Sequence, residues 1–208
     1  MELFIKICGI TNLEDAKLAV SYGANALGFN MYEKSPRKIA KKEVLEIMKK
    51  LPEEIVPVMV FVNHSSQYVK SCLKISSILV PQFHGNEPPE FCSSFDRDFI
   101  KALGVSGEEN LQLFFENYSE SWMILLDSYS KNDFGGTGKT LDWKYLKEKK
   151  FDKPYLLAGG LNSENVEKAL SMVSCTGLDV SSGVESSPGK KDSIKLRKFI
   201  ETARNFSG

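Results

Sequence analysis

Eight short apolar runs, separated by amphipathic stretches of helical period, predict a single-domain α/β chain folded as a (β/α)8 barrel across residues 1–208. Strict alternation of the two patterns implies parallel strands joined by right-handed crossovers. The spacing agrees: 208 residues shared among eight units leaves 26 for each, at the small end of this fold's usual size. An open, doubly wound sheet is the rival architecture. No G-x-G-x-x-G turn follows the first strand to favour a dinucleotide-binding version of it.

Alternation in "LFIKI" (Leu3–Ile7) gives the first strand, and Gly9 supplies the turn that ends it. Thr11 or Asn12 then caps a helix starting near Leu13, with Glu14 and Asp15 favourable in its first turn. The later strands are Ala26–Phe29, Val56–Phe61, Ile78–Gln82, Phe99–Ala102, Trp122–Leu126, Tyr155–Ala158 and Gly177–Val180. Between them lie the helical pieces "NLEDAKLAVSYG", "AKKEVLEIMKKL", "SSQYVKSCLK", "LDWKYLKEKK" and "SENVEKAL", and "KKDSIKLRKFIETARNF" closes the series. The stretches "SCLKISSILVPQ" and "EFCSSFDRDF" are the least clearly patterned.

Composition narrows the function. The chain is 42% apolar and 26% charged, as ordinary globular proteins are. Its 27 basic and 27 acidic residues cancel, so no global field draws it to nucleic acid or to an anionic membrane. Lys-rich pieces such as "KKEVLEIMKK" and "KYLKEKK" read as solvated helix faces. Cysteines 8, 72, 92 and 175 form no Cys-x-x-Cys pair and have no neighbouring histidines, which argues against a zinc site. The opening apolar run is too short for a signal peptide or a membrane span, and scattered cysteines without an export signal suggest reduced thiols in the cytoplasm.

In a barrel, reactive side chains sit at the C-terminal strand ends and in the loops that follow. Those positions hold Cys8, "NMYEKSPRK", "NHS", "QFHGNE", "LLDS" with the glycine-rich "YSKNDFGGTGKTLDW", "LAGGLNSEN" and "DVSSGVESSPGKKD". Taken alone, Cys8 reads best as a buried core thiol. Gly159 and Gly160, with Asn162 or Ser163 as a cap, and Gly183 in "SSGVE" let backbone N–H groups approach an anion. Phosphate sites of this fold commonly lie in those two loops. "GGTGKT" lacks the spacing of a Walker A loop. Asp127 ends an apolar run and is either paired and structural or a functional acid. Arg37 has the fork that suits a planar carboxylate, or is a surface charge, and His84 is by default a satisfied loop histidine.

The stretches "KICGIT", "GFNMYEKSPR", "VFVN", "QFHGNE", "LLDS", "GGTGKTLDW", "LAGGL" and "DVSSGVESSPGKKD" occur in that order from residue 6 to residue 192. In this the chain resembles the phosphoribosylanthranilate isomerases of tryptophan biosynthesis. The resemblance implies a (β/α)8 barrel that carries out an Amadori rearrangement of an aminoaldose to a ketose without metal or organic cofactor. It implies Cys8 as general base, Asp127 as general acid and Arg37 as a contact to the anthranilate part. It places phosphate on the backbone at Gly159, Gly160, Ser181, Ser182 and Gly183, with Asp179 just before the second loop, and Gln82 and His84 at the anthranilate end. A monomer or homodimer acting on a small phosphorylated substrate is expected, with no nucleic-acid or membrane partner. Such chemistry needs a protonated carboxyl and an ionised thiol together, although ordinary values of about 3.9 and 8.5 give the reverse. A helix N-terminus after Cys8 is one expected source of thiolate stabilisation.

The departures from the family pattern are Phe83, where an aliphatic residue is usual, and Leu141, where phenylalanine is frequent. Indole-glycerol-phosphate synthase is the nearest enzyme alternative, but it relies on lysine and glutamate at its strand ends. A non-catalytic sugar-phosphate binding protein is a rival of another class, and loss of Cys8 or Asp127 would have favoured it. An isomerase that also takes the histidine-pathway substrate would more naturally use two aspartates.

Overall fold

The computed structural model describes residues 2–107, 109–128, 142–147 and 149–206. Eight parallel strands close into a barrel in chain order: β1 (Phe4–Cys8), β2 (Ala26–Asn30), β3 (Val56–Phe61), β4 (Val80–Phe83), β5 (Ile100–Val105), β6 (Met123–Ser128), β7 (Tyr155–Leu157) and β8 (Gly177–Val180). Between and after them run α1 (Leu13–Ser21), α2 (Lys41–Met48), α3 (Ser66–Leu73), α4 (Pro89–Ser93), α5 (Leu111–Asn117), α6 (Trp143–Leu146), α7 (Val166–Met172) and α8 (Ser193–Asn205). Asn12 caps α1 by accepting from Asp15 N at 2.8 Å, and Asp192 caps α8 by accepting from the N–H groups of Ile194 and Lys195.

Strand side chains alternate between two cores. The outward set, including Ile5, Ile7, Phe29, Phe61, Ile124 and Leu178, packs against the helices. The inward set fills the barrel: Ala26, Val58, Ile100, Ala102, Met123, Leu125, Leu156 and Ala158, with Phe4, Val56, Val80 and Trp122 at its N-terminal end. Because β1 contributes Phe4 to this inner face, Lys6 and Cys8 share it. Register sets Lys6 beside Asp179 on β8 and Cys8 beside Gly28 on β2.

Several boundaries differ from the sequence expectation. β4 begins at Val80 rather than Ile78, which lies 55% exposed before the strand, and β5 runs on to Val105. Helix α5, "LQLFFEN", is absent from the helical pieces picked out by pattern. It buries Leu111 and Phe115, while Leu113 stands 50% exposed and blurs the period. After β8 come a 3₁₀ turn, Ser182–Val184, and a small antiparallel hairpin of β9 (Glu185–Ser187) and β10 (Lys190–Lys191). The sequence reading took that stretch as loop. The glycine-rich stretch read as a long loop lies, up to Leu141, outside the described residues. No helix among the described residues is long and apolar enough to cross a membrane.

Candidate active site

The C-terminal mouth of the barrel holds a pocket lined by Cys8, Asn30, Arg37, His84, Asp127, Gly159, Gly160, Asp179, Ser181 and Ser182, among others. Two residues expected there are not part of its lining. Gln82 is fully buried below His84, where its Nε2 meets His84 Nδ1 at 3.0 Å, so it reaches the pocket only through the histidine. Gly183 does not line the pocket; a Cβ there would lie 1.8 Å from the Leu161 carbonyl oxygen, so the loops after β7 and β8 touch only because this residue is glycine. Gly159 and Gly160 both adopt positive φ, turning the backbone after β7 across the mouth.

Three clusters build the site. In the first, Lys6 is completely buried and donates to Asp179 Oδ1 at 2.6 Å. Cys8 stands one step above Lys6 on the same face of β1. Gly28 leaves the space that both groups use: a Cβ at that position would lie 2.7 Å from Cys8 Sγ and 3.1 Å from Lys6 Nζ. Burial pushes the Cys8 thiol above its ordinary value, against the opposing pull of Lys6. The sequence reading names a helix terminus as a source of thiolate stabilisation; the cation that opposes the effect of burial on this thiol is Lys6.

In the second cluster, Arg37 Nε and Nη2 donate to Glu185 Oε1 and Oε2 at 2.9 and 2.8 Å, a bidentate pair. Glu185 also takes Lys191 Nζ at 2.9 Å. Lys191 in turn donates to the carbonyl oxygens of Cys8 at 2.6 Å and Ser181 at 3.4 Å, tying the ends of β1 and β8 to the hairpin. The Arg37 fork that the sequence offered to a substrate carboxylate is thus engaged by Glu185, although Arg37 does line the pocket. Burial alone would raise the Glu185 carboxyl; hydrogen bonds and charge from Arg37 and Lys191 outweigh it and hold the group below the usual carboxylate range.

Across the mouth lies the third cluster. His84 Nε2 is 3.3 Å from Asp127 Oδ2, and Ser128 N donates to Asp127 Oδ1 at 2.8 Å. The loop carrying His84 is fixed from beneath by Glu87, which accepts from Asn63 N, Gly85 N and the buried Lys101 Nζ. Sequence reading missed Lys6, Glu185, Lys191 and the Glu87–Lys101 pair. One signal was present for Lys6: strand parity alone puts it on the face of Cys8. Among the described residues no group of three or more His, Cys, Asp or Glu side chains comes together as a metal would need.

A closed eight-stranded barrel with its reactive side chains gathered at the C-terminal mouth defines the chain as a (β/α)8 enzyme. The sequence profile of the family described as N-(5'phosphoribosyl)anthranilate (PRA) isomerase matches residues 5–202, so the chain belongs to that family of isomerases. It is 42% identical over 200 residues to the N-(5'-phosphoribosyl)anthranilate isomerase of Pelobacter propionicus, covering 96% of this chain and 95% of the relative. The phosphoribosyl anthranilate isomerase structure from Thermotoga maritima superposes with a TM-score of 0.88 at 40% identity, covering 97% of this chain and 98% of that one. A further phosphoribosyl anthranilate isomerase structure, solved in complex with reduced 1-(o-carboxyphenylamino)-1-deoxyribulose 5-phosphate, superposes with a TM-score of 0.82 at 38% identity, with 97% and 98% coverage.

Proposed function

We propose that residues 1–208 act as one catalytic domain that converts N-(5'-phosphoribosyl)anthranilate to 1-(2-carboxyphenylamino)-1-deoxyribulose 5-phosphate by an Amadori rearrangement, the third step of tryptophan synthesis from chorismate. The observation that carries this reading is the placement of a thiol and a carboxyl, Cys8 and Asp127, on one pocket whose rim is the Gly159–Gly160 and Ser181–Ser182 backbone. Membership of the isomerase family supplies the substrate.

Asp127 protonates the furanose ring oxygen, and the C1–O bond breaks to give a protonated Schiff base. His84, with Nε2 at 3.3 Å from the second carboxyl oxygen, orients that acid. Cys8, as thiolate, takes the proton from ribose C2, and the electron pair moves into the C1–C2 bond to neutralise the iminium. The enolamine then tautomerises to the ketose. Backbone N–H groups of the two loops hold the phosphate, with Asp179 and Ser181 at its inner edge. Arg37, oriented by Glu185, supplies positive charge toward the anthranilate carboxylate. Burial opposes formation of the Cys8 thiolate, and Lys6 favours it.

The test follows loss of substrate fluorescence, with phosphoribosylanthranilate generated in place, for the wild type, Cys8→Ala and Asp127→Ala. Turnover by the wild type and a large fall in kcat in both variants is the expected result. A folded wild type that binds phosphorylated product without turning over substrate would instead mark a sugar-phosphate binding protein. Activity surviving in Cys8→Ala would overturn the base.

A further inference from the structure

Lys6 is a fully buried cation to which neither the family resemblance nor the reaction above assigns a part. We propose that Lys6 is a positioning residue of the active site, the buried ammonium beside which the Cys8 thiolate forms, with Asp179 as the counter-charge that limits its effect. The proposal rests on the reading of Cys8 as base and deepens it.

The geometry supports it in three ways. Lys6 and Cys8 are two residues apart on one strand, so both side chains enter the barrel on the same face. Across that face β2 offers Gly28, and any side chain there would fill the space that Sγ and Nζ share. Finally, Lys6 gives Asp179 Oδ1 one hydrogen bond, and its ammonium borders the same space over Gly28 as the Cys8 sulfur, which leaves its charge free to act on the thiol.

The remaining charged groups around Cys8 have partners of their own, although the charge of Lys191 also draws the thiol's pKa downward. Lys191, on β10, directs its ammonium to the carbonyl oxygens of Cys8 and Ser181 and to Glu185, so its three protons have three acceptors. Arg37, in the loop after β2, is held by Glu185. His84, from the loop after β4, and Asp127, on β6, face each other across the mouth. A lysine placed only for stability has a poor rationale here, because a buried ion pair is commonly no better than apolar side chains of the same volume.

The pair's two members act on the thiol with opposite sign, and that separates an electrostatic role from a structural one. The rate of Cys8 alkylation by iodoacetamide is measured from pH 6 to pH 10 in the full-length protein, reading the Cys8 peptide by mass spectrometry so that Cys72, Cys92 and Cys175 are scored apart. Lys6→Met is expected to slow alkylation at neutral pH about tenfold or more and to move its midpoint upward by about one pH unit. Asp179→Asn is expected to accelerate it, and Lys6→Arg to stay within about threefold of the wild type. Both Lys6→Met and Asp179→Asn accelerating alkylation would show a loosened barrel and overturn the proposal, as would an unchanged profile in Lys6→Met. If Lys6→Met fails to fold, the other two variants decide: a slowed or unchanged rate in Asp179→Asn, or a rate in Lys6→Arg far from the wild type, sinks it. Alkylation needs no turnover. Failure of the base role would therefore show separately, as isomerase activity retained by Cys8→Ala.

Discussion

At the N-terminal end of the barrel interior, Phe4 and Trp122 meet edge to face at 5.7 Å, with Val56 and Val80 packed against the same cluster. Two to four residues further along these strands, the same inward faces carry Lys6, Cys8 and Gln82, and β6 and β8 add Asp127 and Asp179. The lower half is apolar and closes on itself. The upper half is a set of polar and ionisable groups, for which burial away from water is costly unless they are partnered. The difference teaches that one hydrophobic floor serves as a rigid platform, which frees the ceiling to be arranged for chemistry at some expense of stability. Substitutions in the two halves should therefore separate folding from turnover.

The largest effect is expected at the ceiling. Cys8→Ala and Asp127→Asn should each lower kcat about 10³-fold, while melting temperatures followed by circular dichroism stay close to the wild type. On the floor, Ile100→Ala should do the converse: it removes a fully buried side chain and should reduce unfolding free energy by about 2–5 kcal/mol in urea titrations. Its kcat/KM well below the melting range should be unaltered, and a loss of activity comparable to that of Cys8→Ala would break the separation.

Glu185→Gln tests a part of the ceiling that is structural. It removes the one carboxylate shared by Arg37 and Lys191 and should cost about 3 kcal/mol at neutral pH. Because the Glu185 carboxyl is depressed in the folded state, its contribution is complete above the unfolded value of about 4.3 and is lost as pH falls through the lower folded value. Urea titrations across that range should show a steeper loss of stability in the wild type than in Glu185→Gln. The smallest effect is expected for Arg37→Ala, an increase in KM of about tenfold for phosphoribosylanthranilate. Unchanged kinetics would remove Arg37 from the site.

Most of the barrel could be read from the chain because its strands are apolar on both faces and its helices on one, so the two periods stand apart. β3 and β8 fall where the pattern puts them, residue for residue. The pattern fails at α5, where Leu113 points to solvent, and at the β9–β10 hairpin, where a Pro188-Gly189 turn in a polar stretch looks like any loop. In the site, position alone puts Cys8, His84, Asp127 and the glycines of the loop after β7 at the mouth, where the pocket lining has them, but Cys8 then reads as a core thiol and His84 as a loop histidine; Asp179 comes only from the family resemblance. Partnerships were not legible. Arg37 with Glu185, separated by 148 positions, and Lys6 with Asp179, separated by 173, depend on ring closure, which no local period encodes. The burial around the Cys8 thiol was likewise out of reach, because it is a property of the packed barrel.

The Lys6–Asp179 contact has a consequence in time as well as in space. It joins the first strand to the last, and Lys191 reaches back across an even longer loop of chain to the Cys8 carbonyl. During synthesis, a chain that has reached only β7 carries Cys8 and Lys6 but neither Asp179 nor Lys191. Such distant pairings form slowly, because the entropy of closing the ring is spent before any contact rewards it. The surroundings that set Cys8 apart from an ordinary thiol are completed only when the eighth strand docks, so the change in its rate of alkylation can serve as a clock for the final event of folding.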